Sequence, residues 1–250
     1  MLATVAFKGR ARAVDRSGEM APELVVVQGL RDTRGTLQRW NARPFAVLGP
    51  WLALSAGICA LLLASVVLVA HLSTPDLTPV FLPGLNEPAT LSDVGQILYR
   101  NSLVLALHAM ACVAGFIAGS SLPQEAERYS GVWRWVHDKA GPLAIAFVIG
   151  ATSFSLFTQA YVLGGAASTL AAQGHMSPAL LVVGILPHAI PELIGLFLPL
   201  AAWTTASRRG AWEELLAATF ITVAIAIPLV VTAAFVEVYV SPHLILALRG

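Results

Sequence analysis

Hydrophobic residues gather into five long runs separated by short polar breaks: Ala46 to Ala70, Tyr99 to Ser121, Gly141 to Ser168, Pro178 to Trp203, and Trp212 to Val240. Bilayer hydrocarbon is about 30 Å thick, so a helix that crosses it needs roughly 20 apolar residues. Every run meets that length. None alternates as a membrane β-barrel strand does, and a backbone in lipid has to satisfy its own amides. The pattern predicts an all-α, polytopic membrane bundle of five transmembrane helices. The fourth carries Pro187 and Pro191 and is open to a break there, because a proline inside a helix removes a donor and frees a carbonyl one turn back. A break would leave a short segment from Pro178 to Leu186 and a second helix starting near His188, the discontinuous form that lines transporter sites.

The polar stretches divide the chain into a basic tail over residues 1–45 and a membrane domain over residues 46–250. An outer loop covers residues 72–98 and a cytoplasmic loop residues 122–140. The first run is not expected to be a cleaved secretory signal, since about 45 residues of polar sequence precede it and it is longer than a signal core of about 7 to 15 apolar residues. Residues before Arg16 show no period and are expected to be disordered. In the outer loop Pro75, Pro79, Pro83 and Pro88 forbid a regular helix, while Thr90 followed by Asp93 reads as a capping box that starts the second membrane helix near Leu91. Gln124 to Lys139, with Trp133 and Trp135 among charges, reads as an amphipathic helix at the interface. Gly164 and Gly165 read as a bend.

Composition supports the membrane assignment: 57% of residues are hydrophobic and 12% charged. The net charge of +1 hides a polarised distribution. Lys8, Arg10, Arg12, Arg16, Arg31, Arg34, Arg39 and Arg43 precede the first run. Arg128, Arg134, Lys139, Arg208 and Arg209 lie in the second and fourth breaks, whereas Asp76, Glu87 and Asp93 mark the outer loop. By the positive-inside rule the N-terminus is cytoplasmic and, after five spans, the C-terminus is outside. Arg100 and Arg249 run against the trend. The basic tail is a topology signal with some attraction for anionic lipid, and nothing in it points to nucleic acid. Cys59 and Cys112 fall inside runs as small buried residues, with no metal spacing and no demand for a disulfide.

Chemistry at membrane depth is confined to a few side chains. An ionisable group at the bilayer centre costs about 2.5 to 3.5 kcal/mol and is normally offset by a partner. The candidates for a buried polar cluster are Asn101 and His108 in the second run, His188 and Glu192 in the fourth, and Glu237 in the fifth. His188 and Glu192, four apart, share a helical face, as do Asn101 and His108, seven apart. His108 alone on an apolar face also reads as a hydrogen-bonded packing residue, and Asn101 as a helix cap or bridge. Gly115 and Gly119, four apart, fit close helix approach and permit a homodimer. There is no GxSxG, no HExxH and no nucleotide fingerprint.

Three blocks of sequence resemble the stage II sporulation protein M (SpoIIM, DUF95) family of integral membrane proteins. They are Asn101 opening a helix that passes Gly115 and Gly119 to Leu122-Pro123, Pro187-His188 with Glu192, and Glu237-Val238-Tyr239-Val240-Ser241-Pro242. The resemblance runs from Tyr99 to the C-terminus. It implies a five-helix membrane domain in a bacterial plasma membrane and a scaffold that recruits envelope partners. In spore formers those partners degrade peptidoglycan, and other members are associated with the maturation, export or immunity of circular bacteriocins. The family's positions fall on Asn101, His188, Glu192 and Glu237.

The leading expectation is therefore a membrane scaffold or accessory protein of the cell envelope, with the bilayer and membrane or envelope proteins as partners. The alternative is a transporter or ion and proton path in which Glu192 and Glu237 exchange protons or cations. A third is an intramembrane zinc enzyme with His188, Glu192 and Glu237 as ligands, since imidazole and carboxylate suit zinc. Enzymatic chemistry is the weakest of these, because His108 is the only spare base.

Overall fold

The computed structural model describes residues 25–76, 78, 80, 82–121 and 130–249. The expected disorder before Arg16, and residues 122–129 of the second polar break, lie outside them.

Among the described residues seven α-helices follow in order: α1 Val25–Asn41, α2 Pro44–Leu72, α3 Leu91–Phe116, α4 Gly131–Gln173, α5 Pro178–Arg209, α6 Leu215–Tyr239 and α7 Ser241–Leu248. A π-helical stretch, Ile117–Ser121, prolongs α3, and a 3-10 turn, Trp212–Glu214, leads into α6. Five described segments are long and apolar enough to cross a membrane: Pro44–Leu72, Leu91–Gly119, Ile145–Gln173, Pro178–Arg209 and Trp212–Tyr239. These match the five hydrophobic runs.

Local chemistry sets the ends. Pro44 opens α2, where the missing amide is no loss because a first-turn N–H has no helical partner. Thr90 and Asp93 form the expected capping box, with Thr90 N donating to Asp93 Oδ2 at 2.8 Å and Asp93 N to Thr90 Oγ1 at 3.4 Å. Ser177 caps α5 by accepting from Leu180 N at 3.2 Å, and Gly210 ends it in the left-handed conformation, φ 66°.

Helix α5 is the axis of the bundle, packed against α2, α3, α6 and α7. Residues Gly195 to Trp203 are buried without interruption. Small residues make this geometry possible, since Ala201 and Ala202 on α5 and Ala217, Ala218, Ala226, Ala233 and Ala234 on α6 let backbones approach closely.

Several expectations are corrected. The fourth span is not broken: α5 runs as one helix through Pro187, Pro191 and Pro199. Each proline removes one donor, but Gly184, His188 and Ala189 are buried among neighbouring helices, and the helix continues through all three prolines. The interfacial segment is not a separate helix from Gly131 onward. That part is continuous with the third span, giving a helix of 43 residues, about 65 Å at 1.5 Å per residue. Gly164 and Gly165 lie inside this continuous helix, and Gly164 is a contact point with α2, where a Cβ would lie 2.5 Å from Val69 Cβ. Gly115 and Gly119 do mark close approach, but to this chain's own tryptophans. A Cβ at Gly115 would lie 2.7 Å from Trp203 Nε1, and one at Gly119 would collide with Trp212. At these two glycines the close approach is thus made within the chain. Cys59 and Cys112 are free and buried.

The bundle has two distinct ends. At one end α1 packs against the Trp212–Glu214 turn and α6. At the other, the irregular segment before α3 is tied to the end of α4: Ser168 Oγ donates to Ser73 O at 3.0 Å, Asp76 N to Thr169 Oγ1 at 3.0 Å and Gln173 Nε2 to Thr78 O at 2.9 Å.

Candidate functional site

The site begins as a repeat on α3. Asn101, Leu105, His108, Cys112, Gly115 and Gly119 recur at alternating steps of four and three, which places them in one seam along the helix. Helix α5, which runs parallel to α3, supplies the other half. His108 Nδ1 lies 2.7 Å from Leu196 O, Cys112 Sγ donates to Pro199 O at 3.1 Å, and Gly115 faces Trp203. The His108 ring also packs on Phe197 with centroids 5.9 Å apart. His108 is thereby used within the helix pair. That contact fits the reading of His108 as a hydrogen-bonded packing residue.

Asn101, at the seam's opposite end, faces Glu192 of α5. Glu237 of α6 stands within electrostatic reach of both Glu192 and Arg100. Asn101 Nδ2 and Glu192 Oε2 are buried with no hydrogen-bond partner among the described residues. Three helices thus bring one amide and two half-buried carboxylates within electrostatic reach of one another, and the exposed Arg100 acts on Glu237 with the opposite sign. Like charges at such a position repel, the more so the lower the local dielectric.

His188 sits one turn from Glu192 on the same face of α5, 8% exposed, with Nδ1 2.6 Å from Ser241 Oγ at the start of α7. That contact joins α5 to the α6–α7 corner. A tight turn presses on the same corner from outside. Gly84, at φ 79°, lies so close that a Cβ would stand 2.7 Å from Val238 O and 2.8 Å from Pro242 Cγ. The turn is held by Gly84 N to Glu87 O at 2.7 Å and by Asn86, whose Oδ1 accepts from Leu82 N at 2.6 Å and whose Nδ2 donates to Val80 O at 2.9 Å. The polar residues therefore lie below a cap made from this turn and α7.

Among the described residues no three His, Cys, Asp or Glu side chains gather as a group able to hold a metal ion. His188 is directed to Ser241 rather than to a shared point with Glu192 and Glu237.

Sequence reasoning missed two participants. Ser241 is four residues beyond Glu237, and that spacing was its signal. Arg100 adjoins Asn101, and its being a cation on the acidic side of the charge pattern could have drawn attention to it. No family model, curated protein or solved structure matches the chain.

Proposed function

We propose that this is a multi-pass protein of the cell membrane whose working element is an intramembrane cation or proton site formed by Asn101, Glu192 and Glu237. The observation that supports the proposal is that two carboxylates from different helices lie within electrostatic reach of each other, one of them beside an amide whose Nδ2 has no hydrogen-bond partner among the described residues. A carboxylate at this depth is expensive to insert, about 2.5 to 3.5 kcal/mol on insertion scales, and a second one nearby adds repulsion. Structure alone is better served by apolar residues. A proton or small cation shared between Glu192 and Glu237 relieves both costs, and Asn101 offers a neutral ligand to the same position. The protein then acts in transport or as an ion-coupled accessory subunit, consistent with the resemblance to the sporulation protein M family, whose three sequence blocks supply these same residues.

The proposed orientation has α1 and the α5–α6 turn in the cytoplasm. Arg34, Arg39, Arg43, Arg208 and Arg209 all belong to that end of the bundle, as the positive-inside rule requires. The cap over the polar residues then faces outward.

The test is flux in proteoliposomes under an imposed proton or alkali-cation gradient. Glu192→Gln with Glu237→Gln, a near-isosteric double substitution, is expected to abolish flux or the proton dependence of any coupled uptake. Flux indifferent to both changes would overturn the reading.

A separate observation favours the scaffold reading. The first part of α4, from Gly131 to Ala144, continues about 20 Å beyond the candidate span at 1.5 Å per residue, and Val132 and Trp135 are exposed on it. Such a projecting helix is a place for an envelope or membrane partner to dock. If this reading holds, capture of a defined partner is lost on Trp135→Ala and survives the double glutamine substitution.

A further inference from the structure

At the cytoplasmic end, away from the carboxylates, a cavity of about 650 Å³ separates α1 from the beginning of α2. Its two sides differ in chemistry. Arg34, Gln38 and Asn41 recur at steps of four and three, so they form one polar edge of α1, and all three are exposed. Val47 and Leu48 of α2, with Ile221 of α6, make the apolar side. Arg43, in the chain between the lining residues Asn41 and Pro44, is a further exposed cation.

Arg39 has its own partners and is not available to the cavity. Its guanidinium donates to Thr36 Oγ1 at 2.8 Å and lies 3.6 Å from Glu214. Those contacts, with the fully buried Thr36, fix α1 against the Trp212–Glu214 turn and hold the groove open beside it. Trp40 and Trp51 meet edge to face with centroids 5.3 Å apart. Tryptophan prefers the depth of lipid headgroups, which places the groove at the membrane surface.

We infer that this groove binds one anionic phospholipid of the inner leaflet, with its phosphate on the Arg34–Gln38–Asn41 edge and an acyl chain along Val47, Leu48 and Ile221. Charge complementarity selects this occupant: a cation and two amides border an apolar slot, and a phospholipid presents an anion joined to a hydrocarbon chain. Guanidinium and amide donors suit phosphate oxygens, and basic pockets beside membrane helices take anionic headgroups. The volume falls in the range of small-molecule sites, about 300 to 1,000 Å³. This inference is independent of the carboxylate site.

The experiment uses the full chain in phosphatidylcholine nanodiscs with or without phosphatidylglycerol, released and weighed by native mass spectrometry. The unaltered protein is expected to retain one phosphatidylglycerol in preference to phosphatidylcholine. Arg34→Gln should lower that retention about fivefold, the effect of one interfacial cation. Arg209→Gln, which removes an exposed cation from the same end but outside the groove, should leave it unchanged. Leu48→Trp should displace the lipid by filling the slot, with helix content by circular dichroism confirming that the variant folds. Equal losses for Arg34→Gln and Arg209→Gln would reduce the effect to general surface charge and overturn the inference. So would lipid retention unaffected by either groove variant, or a doubled mass that disappears with Leu48→Trp, which would assign the groove to a second copy.

Discussion

Helices α4 and α5 stand side by side in the chain and could hardly be used more differently. In the most apolar window of α5, 39% of residues are buried within the protein, against 6% for α4. Yet α5 has only a slightly higher mean hydropathy, 1.9 against 1.5. In water, burial and hydrophobicity go together because solvent excludes apolar groups. In a bilayer, a lipid-facing side chain is as apolar as a core one, so hydropathy identifies a span and is silent about its neighbours. On α4, Phe147, Phe154, Phe157 and Tyr161 are all more than 70% exposed, whereas on α5 large residues such as Leu196, Phe197, Leu198 and Trp203 are buried together with Gly195, Ala201 and Ala202.

The largest break of this contrast is expected where a small residue holds two helices together. Gly115→Leu must displace Trp203 and Leu215, and should cost about 3 kcal/mol, seen as a lowered thermal midpoint in detergent. Gly150→Leu on α4, where nothing lies within 4 Å, serves as its control and should leave the midpoint in place. A comparable loss at both positions would show that α4 has neighbours the bundle does not display.

Next in size is His108→Ala, which removes the contact with Leu196 O from the α3–α5 seam. Destabilisation by about 1 to 3 kcal/mol is expected in urea or thermal unfolding. Gly84→Ala tests the cap. Left-handed backbone costs a residue with a side chain about 1 to 2 kcal/mol, and the added methyl presses on Val238 O, so faster proteolysis of residues 73–90 should follow with little change in the midpoint of the whole bundle. Phe154→Ala, on the outward face of α4, sits at the bottom of the scale and should stay within about 0.5 kcal/mol.

What was legible in the sequence follows the same division. Spans were legible because length and hydropathy determine them, and the start of α3 was legible because Thr90 and Asp93 act on backbone amides a few atoms away. The continuity of α5 was not, since Pro187 and Pro191 argue locally for a break and only the surrounding helices argue against it. His108 could be assigned to no partner, because Leu196 O, a backbone atom distant in sequence, carries no signal of its type. The glycine pair correctly signalled close contact, but a glycine does not say whose side chain fills the space. Glu192 and Glu237 stood out as charges in apolar runs, while their nearness to each other depends on how α5 and α6 pack.

The order of Asn101, Glu192, Glu237 and Ser241 along the chain also matters while the protein is being made. A polypeptide threaded into the membrane from its N-terminus has α3 in place when α5 arrives, so the Asn101 amide is there to receive Glu192 during insertion. Glu237 and Ser241 emerge later, and only then does the second carboxylate close the pair and His188 gain its hydroxyl. Synthesis thus delivers the amide first, one acid with the imidazole next, and the second acid with the hydroxyl last.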